Sequence, residues 1–477
     1  MQTTPNQMND ADVALVLDVD GTLLRTDLLY ESFWAALGSD LAATLFAAAV
    51  NWQRPERLKQ ALINIARPRI SLLPVRDALL APAREAVEAG RSVHLVSGSN
   101  QELVDELASF LELPGPHFGS DIDRNLTAAT KAAFLKHQFG EGGYDYAGNA
   151  HADLKSWAGA RKIIAVNPNS ALTKEIEALV KPVETIADDW GISDVIREIR
   201  PHQWTKNLLL FVPFLASHDI NTASFLAVCL AAVALSLGAS SIYILNDLLD
   251  LEADRSHPEK RFRPIASGTL PIAAAMRVSV LLAFAAVLLA FSVSPQVAQL
   301  TLAYMAGSLS YSLWLKKRRW LDLIALTGLF LLRMLTGAVA AHAGVTCLLL
   351  ALGFAVFFTL ACVKRLTALI RMHQRDYLPG RGYSFHDLIS LKNAAYTSTA
   401  LSGLVFLAYI RDEHASGLYS APVLASVAAL PLMMWLFRMV RLSIAGREDY
   451  DPVRFMLHDR IGLLLLGIGL ALMVLAV

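Results

Sequence analysis

Acidic and basic side chains are concentrated between Asn246 and Gly268, the aspartate-rich segment, which follows a long apolar run. Asp247, Asp250 and Asp254 are spaced three and four residues apart, so a helix places them on one face with Asn246 beside them. Carboxylates this close repel each other unless a cation lies among them, and a hard divalent ion such as Mg²⁺ prefers oxygen ligands. The spacing predicts that these four residues bind magnesium; the alternative is a solvated loop.

A basic group follows the carboxylates within the same segment. Lys260, Arg261 and Arg263 are suited to bind phosphate oxygens. His257 is expected to support the loop rather than to bind metal. Carboxylates that bind a metal, next to cations that bind phosphate, predict a site for a diphosphate.

A second acidic group lies near the N-terminus. Val13–Leu17 is a short aliphatic run typical of a buried parallel strand, and Asp18 and Asp20 follow it in the sequence DVDGT. Side chains at the carboxyl end of a central strand lie where α/β sheets bind ligands. The alternative is a turn that ends a strand and uses its aspartates as caps.

The DVDGT sequence resembles the first motif of the haloacid dehalogenase superfamily of phosphatases. This resemblance covers about residues 12–170 and implies that Asp18 is the nucleophile, that Asp20 is the general acid and base, and that Mg²⁺ screens the phosphate. It also implies roles for Ser97 and Lys131 as phosphate contacts and for Asp153 as a metal ligand, together with Asp18 and Asp20. Asn149 departs from the family pattern, which often has an acid there.

The region between the first two motifs, residues 28 to about 80, is expected to form a helical cap over the phosphatase-like site. Its apolar run Leu41–Val50 is too short to span a bilayer. We interpret this run as a core helix of the cap; the alternative is a helix that rests on a membrane. Strands are also predicted at Ser92–Ser97, Tyr144–Ala147 and Arg161–Val166.

The composition of the 477-residue chain changes near residue 200. The first part is typical of a soluble α/β domain, and the rest consists of apolar runs separated by short charged loops. The mean hydropathy is +0.43. We predict domains at 1–170 and 201–477, joined by a helical connector at 171–200, with an all-α integral membrane bundle of about nine transmembrane helices. The predicted spans are 204–218, 223–245, 272–293, 297–315, 321–341, 345–363, 394–410, 420–437 and 460–477.

Charge patterning predicts the orientation of these spans. The loops 249–270, 316–320, 364–393 and 438–459 contain many lysines and arginines, whereas the opposite loops contain only Arg411, which fits the positive-inside rule. We therefore expect a multi-pass protein of the inner membrane, with its N-terminal domain and active sites on the cytoplasmic side. The net charge of +0 implies no general attraction to nucleic acid, and the three cysteines lack metal-ligand spacing.

The segment NDLLDLEADRSHPEKRFRP resembles the first aspartate-rich motif of the UbiA-type intramembrane prenyltransferases. RPHQWTKN, YSLWLKK, LLRMLTG and DPVRFMLHDR extend the resemblance over about 195–477. It implies a helical bundle around a cavity open to lipid, with Mg²⁺ holding a diphosphate against the aspartates. Lys206 and Asn207 are either membrane anchors or site residues.

One departure concerns the second aspartate-rich motif of the aromatic prenyltransferases, where this chain offers only Asp322. The HPEKRFRP version of the first motif is instead similar to the branch that makes decaprenylphosphoryl-phosphoribose. That branch implies phosphoribosyl pyrophosphate as the donor and a polyprenyl phosphate as the acceptor. Tyr311, Lys316, Lys317 and Arg333 are candidates to bind the lipid phosphate, although Lys316–Arg319 are alternatively topology anchors.

We therefore expect a Mg²⁺-dependent membrane transferase that moves 5-phosphoribose from its pyrophosphate to a polyprenyl phosphate. The fused phosphatase-like domain would then remove the 5-phosphate from the product. Two alternatives remain open: a prenyltransferase that alkylates an aromatic or other small acceptor, and a cytoplasmic phosphatase whose membrane part only binds lipid. The sequence does not determine the prenyl length or the oligomeric state.

Overall fold

The computed structural model describes residues 12–477, except 122–123, 189, 218–220, 372–380, 413–416, 418 and 447–458. The chain divides into two compact units. The first contains the residues up to Ile199 together with Tyr243–Ser279, and the second contains Arg200–Ile242 and Val280–Val477. The aspartate-rich segment is therefore part of the same compact unit as the N-terminal residues.

The first unit is built on a six-stranded sheet in the order β3-β2-β1-β4-β5-β6. The strands are β1 (Ala14–Leu17), β2 (Val93–Asn100), β3 (Phe118–Ser120), β4 (Tyr144–Gly148), β5 (Ile163–Val166) and β6 (Val183–Ile186). All neighbouring strands pair in parallel. Because the chain continues to opposite sides of β1, the carboxyl end of β1 is a switch point, where sheets of this class bind ligands.

Among its described residues, the N-terminal region also contains nine α-helices. They are α1 (Leu28–Ser39), α2 (Leu41–Asn51), α3 (Pro55–Ile65), α4 (Asp77–Glu88), α5 (Gln101–Leu111), α6 (Ala128–Phe139), α7 (Leu154–Gly159), α8 (Ser170–Glu177) and α9 (Ile192–Ile199). The prediction of a parallel α/β domain is confirmed. The sequence reasoning did not identify β3, and the segment predicted as a helical connector also contains β6.

Helix α2 corresponds to the apolar run Leu41–Val50, but its large apolar side chains are not buried in a core of the cap. Its inward face consists of small side chains, because Thr44 and Ala47 are its buried residues. Leu45 and Phe46 are 53% and 72% exposed. The prediction that this run is buried in the core of the cap is wrong. The hydrophobicity of a side chain does not determine whether protein or another apolar surface covers it.

The remaining described helices are short or long, and the long ones are apolar. They are α10 (Phe211–Ala216), α11 (Thr222–Leu249), α12 (Leu251–Arg255), α13 (Ile272–Val293), α14 (Pro295–Leu313), α15 (Leu321–Ala340), α16 (Cys347–Ile370), α17 (Leu388–Arg411), α18 (Pro422–Val427), α19 (Ala429–Ile444) and α20 (Arg460–Leu475). Helices α11 and α13 each have one end in the first unit and the rest in the second.

Within the described residues, five helical stretches are long and apolar enough to cross a membrane. They are Thr222–Leu249, Ile272–Val293, Leu321–Ala340, Cys347–Ile370 and Pro422–Ile444. The first predicted span instead contains a 3₁₀ stretch, Pro201–Leu210, and the six-residue helix α10. A helical membrane domain is confirmed, whereas the topology of nine spans stays a prediction. Most of DPVRFMLHDR lies outside the described residues.

Candidate functional site

The buried residue Asp18 follows β1 and is bound by a lysine of α6. Lys131 Nζ donates to Asp18 Oδ1 at 2.6 Å and lies 3.8 Å from Asp153 Oδ1. Tyr146 Oη donates to Asp153 at 2.8 Å and accepts from Lys131 Nζ at 3.1 Å. Three residues predicted from distant parts of the sequence are thus brought together, and Tyr146, which the sequence reasoning missed, connects them.

Asp20 is held by two serines from the end of β2. Its Oδ2 accepts from Ser97 Oγ at 2.9 Å and from Ser99 Oγ at 2.6 Å. Its Oδ1 accepts from the backbone N–H of Leu28 at 2.8 Å. Ser97 therefore lies in this site, where it binds a carboxylate, and its contact with phosphate stays a prediction. Ser99 adds a contact that was not predicted.

Burial and charge set the ionisation of this site. Burial raises the pKa of Asp18 to about 7, although the nearby Lys131 opposes that rise. Burial alone would lower the pKa of Lys131, but Asp18 and Asp153 outweigh it and raise that pKa. The ammonium group therefore stays protonated and is the cation that offsets the buried carboxylates.

A cavity of about 290 Å³ opens beside Asp20. Tyr30, Asn149 and Thr269 are among the residues that line it. Arg25 and Arg76 also line it, and each lies 2.7 Å from Asp188 Oδ2. Because both guanidinium groups share this carboxylate, the cavity is polar without a large excess of positive charge.

The aspartate-rich segment begins on α11 and continues on α12, with a break at Asp250, so it is not the single regular helix that the spacing predicted. The backbone nevertheless keeps a helical path, because Asp250 N–H donates to Asn246 O at 3.0 Å and Asp254 N–H donates to Asp250 O at 2.8 Å. The carboxylates of Asp247 and Asp254 are both buried. They therefore still lie on one side of the chain.

One arginine joins these two carboxylates. Arg263 Nη1 donates to Asp247 Oδ1 at 3.0 Å and also binds Asp254 Oδ2. Lys260 Nζ lies 3.5 Å from Asp254 Oδ1. The guanidinium of Arg261 instead lies over the Phe262 ring, 4.8 Å from its centroid. The predicted phosphate contacts Lys260 and Arg263 are thus paired with the predicted metal ligands.

Asn246, at the start of the aspartate-rich segment, has a buried side-chain oxygen, Oδ1, that lacks a hydrogen bond among the described residues. A buried carbonyl oxygen without a partner costs about 1–3 kcal/mol, a cost that a bound cation would remove. Asn246 precedes Asp247 in the chain, and amide and carboxylate oxygens are ligands that suit Mg²⁺.

The arginine after Asp254 was missed by the sequence reasoning. Arg255 donates to both carboxylate oxygens of Glu31 on α1, at 3.0 and 2.7 Å, and its Nε donates to Ala266 O at 2.9 Å. Thr26 Oγ1 donates to the same carboxylate at 2.6 Å. This buried ion pair fastens the aspartate-rich segment to the cap, and no local spacing signals a partner so far away in sequence.

Within the described part of the chain, no three His, Cys, Asp or Glu side chains are grouped as a metal site would require. In the first site Lys131 stands between Asp18 and Asp153, and in the second Arg263 stands between Asp247 and Asp254. Both donor sets have suitable oxygens, which now converge on a cation of the chain. The predicted magnesium ligands, including Asp20 and Asp250, stay predictions.

In the second unit, two of the predicted site residues bind each other. Arg333 Nε donates to Asn207 Oδ1 at 3.1 Å, and Arg333 Nη2 donates to Tyr304 Oη at 2.6 Å. Asn207 Nδ2 donates in turn to Ser236 Oγ at 2.7 Å. Asn207 and Arg333 are both buried, as expected for a charge that faces the bundle interior rather than lipid.

An apolar cavity of about 460 Å³ lies nearby in the same unit. Phe330, Phe357 and Trp435 contribute aromatic walls. Of the described residues that line it, Lys206 is the one that carries a charge. A cavity of this kind suits an apolar chain that carries an anionic group at one end.

Asp322 is fully buried beneath arginines at the start of α15. Arg365 Nη2 and Arg381 Nη1 donate to its Oδ1 at 2.8 and 2.9 Å, and Tyr311 Oη donates to the same atom at 2.9 Å. The predicted phosphate contact Tyr311 therefore belongs to this cluster. Lys316 and Lys317 lie in a short 3₁₀ turn before it. The sequence reasoning did not foresee the role of Arg381.

The model of the UbiA prenyltransferase family matches residues 208–459. The chain belongs to the UbiA prenyltransferase family. The family match covers most of the second unit and all of the aspartate-rich segment. The resemblance expected from the motifs of the membrane part is therefore confirmed.

Two relatives extend this UbiA assignment. An uncharacterized protein of Sinorhizobium fredii is 31% identical over 459 residues, which are 94% of this chain and 88% of that protein. The decaprenyl-phosphate phosphoribosyltransferase of Mycolicibacterium smegmatis is 40% identical over 155 residues, which are 31% of this chain and 49% of that enzyme. The alignment with the first relative extends over both units, whereas the alignment with the second covers about a third of this chain and about half of that enzyme.

Solved structures give weaker likenesses. A UbiA homolog from Archaeoglobus fulgidus bound to DMAPP and Mg²⁺ is 15% identical, with a TM-score of 0.46 over 59% of this chain and 99% of that chain. A haloacid dehalogenase family hydrolase from Salmonella enterica is 15% identical, with a TM-score of 0.28 over 38% of this chain and 69% of that chain.

Proposed function

We propose that this UbiA-family chain transfers 5-phosphoribose from phosphoribosyl pyrophosphate to a polyprenyl phosphate. The observation that carries this choice of donor is the state of Asp322. Asp322 is fully buried, and the buried Arg365 binds both of its oxygens, with Arg381 and Tyr311 as further partners. Asp247 and Asp254 instead share Arg263, which is partly exposed and which a substrate phosphate would displace. The buried pairing of Asp322 supports a donor with one diphosphate-binding cluster, as does the similarity to a decaprenyl-phosphate phosphoribosyltransferase.

In this proposal the aspartate-rich segment binds the leaving diphosphate. Asn246, Asp247, Asp250 and Asp254 would hold Mg²⁺, which when bound would neutralise charge that develops on the diphosphate. The donor would displace Arg263 from Asp247 and Asp254, because its phosphate oxygens compete for the same guanidinium group. Lys260, 3.5 Å from Asp254, would contact the same phosphates.

The second unit supplies the acceptor site. The apolar cavity would receive the polyprenyl chain, and Lys206 at its lining would bind the lipid phosphate. An oxygen of that phosphate attacks the anomeric carbon of the donor, and the bond from this carbon to the diphosphate breaks. We expect the topology of nine spans and the cytoplasmic placement of both sites to accompany this function.

A second activity is proposed for the N-terminal site because Lys131 binds Asp18 beside Asp153. A carboxylate oxygen of Asp18 attacks the 5-phosphate, the bond from phosphorus to the ribose oxygen breaks, and Asp20 protonates that oxygen. Water then attacks the aspartyl-phosphate and loses its proton to Asp20, which releases phosphate. Asp18, Asp20 and Asp153 would hold a Mg²⁺ ion that screens the phosphate charge.

The rival function is prenyl transfer from a polyprenyl diphosphate to an aromatic acceptor. The purified chain is supplied in separate reactions with labelled phosphoribosyl pyrophosphate plus polyprenyl phosphate, and with labelled prenyl diphosphate plus aromatic acceptors. The proposal expects label to enter lipid in the first reaction. Product from the prenyl diphosphate reaction alone would overturn it.

A further inference from the structure

Helix α2 presents its large apolar side chains outward. Leu45, Phe46 and Val50 are 53%, 72% and 61% exposed, and Ala42 and Ala49 are exposed beside them. These positions follow the i, i+3, i+4, i+7, i+8 pattern of one helix face. The opposite face is built from Thr44 and Ala47, which are buried against the rest of the unit. The helix thus has its larger apolar surface on the side that the described residues leave exposed.

The residues that follow α2 have the chemistry of a membrane interface. Trp52 is 73% exposed directly after the helix. Arg54 and Arg57 are exposed one turn further on. Tryptophan is enriched at the level of lipid headgroups, and arginines near an apolar helix face add attraction to anionic lipid.

The connectivity of the chain keeps this helix near a bilayer. Two helices of membrane length, Thr222–Leu249 and Ile272–Val293, enter the compact unit that contains α2. The unit is therefore held within reach of a bilayer, because one covalent chain carries both, and a face of the unit that is turned to the lipid meets it at a high effective concentration.

We propose that the outer face of α2, formed by Ala42, Leu45, Phe46, Ala49 and Val50, rests in the interfacial region of an anionic phospholipid bilayer. Trp52, Arg54 and Arg57 anchor it among the headgroups. This contact holds the cap of the phosphatase-like site at the membrane surface, where a lipid-linked phosphate would be found. The contact does not depend on the identity of the transferase substrates.

The test replaces Phe46 by the photoreactive residue benzoylphenylalanine in the full chain, reconstituted in liposomes of phosphatidylcholine and phosphatidylglycerol. The matched control carries the same residue at Phe110, which is 49% exposed on α5 next to the acidic exposed residue Glu106. Both positions replace an exposed aromatic ring, so neither replacement disturbs a buried side chain.

After irradiation, mass spectrometry of the peptide around position 46 is expected to show phospholipid adducts that the control peptide lacks. Absence of lipid adducts at position 46, or equal yields at both positions, would overturn the proposal. Crosslinks between two copies of the chain at position 46 in place of lipid adducts would also overturn it, since they would assign this face to a dimer.

Discussion

The two carboxylate clusters of the first unit both place one cation between two aspartates, but they differ in how far apart those aspartates are in the sequence. In the phosphatase-like site, Asp18 and Asp153 come from distant parts of the sequence and share Lys131. In the aspartate-rich segment, Asp247 and Asp254 are close in sequence and share Arg263. Each cluster therefore contains its own cation, which offsets part of the negative charge of its carboxylates.

The clusters differ in how much of the fold they depend on. Asp18 and Asp153 are placed by the parallel sheet, whose strand ends meet at one edge. The aspartate-rich segment is a chain of short helical turns fastened by Arg255 to Glu31. Activity at the first site should therefore depend mainly on its own carboxylates and lysine. Activity at the second site should also depend on the distant ion pair between Arg255 and Glu31.

The largest effect is expected for Asp18→Asn. Removing the nucleophile should reduce phosphate release from the lipid product on the order of 10³-fold or more. Transfer of phosphoribose should continue at its original rate, because it uses the other cluster. Malachite green assay of released phosphate checks the first expectation, and Asp77→Asn at an exposed position is the matched control. Loss of both activities in Asp18→Asn would break the distinction between the sites.

Arg255→Met should destabilise the first unit by about 3–5 kcal/mol, because it leaves the Glu31 carboxylate buried without its partner. The double variant Arg255→Met, Glu31→Met should recover much of that loss, since both charges are gone. Thermal unfolding in detergent measures both. The control is Arg69→Met, whose pair with Glu252 is exposed. No recovery in the double variant would show that Arg255 acts in another way.

The carboxylates of the aspartate-rich segment can be compared directly with Asp322. Asp247→Asn should raise the Mg²⁺ concentration needed for half-maximal transfer by at least about tenfold, because it removes a ligand. Asp322→Asn should leave that concentration unchanged, because Asp322 is fully buried between Arg365, Arg381 and Tyr311, whereas the Arg263 that pairs with Asp247 is partly exposed and displaceable. Activity titrated with Mg²⁺ decides this. A similar increase in both variants would make Asp322 a metal ligand.

The smallest effect is expected for Ser99→Ala. Asp20 loses one of its two serine contacts, and a hydrogen bond to a charged group is worth about 1.5–3 kcal/mol. Because Ser97 still binds the same oxygen of Asp20, we expect a loss at the low end of this range, so that phosphate release falls by about tenfold with transfer unaffected. Ser109→Ala, at an exposed position of α5, is the control. An unchanged rate would mean that Ser97 alone orients Asp20.

Local spacing and family motifs predicted the carboxylates of both clusters, because these residues follow a strand or repeat along a helical path. Their partners were harder to foresee. Arg255 and Glu31 are separated by more than 200 positions, and Ser99 is recognised only when β2 lies beside β1. Composition did not predict that the apolar face of α2 points outward, because an apolar run has the same composition whether protein or lipid covers it.

If the two clusters act in sequence on one lipid product, the number of phosphates on that product shows it most directly. The chain is given phosphoribosyl pyrophosphate and polyprenyl phosphate, and the lipid is analysed by mass spectrometry. Wild type should yield polyprenylphosphoryl-ribose, and Asp18→Asn should accumulate the product that retains its 5-phosphate. Identical products from both proteins, or no ribose in the lipid at all, would contradict the account.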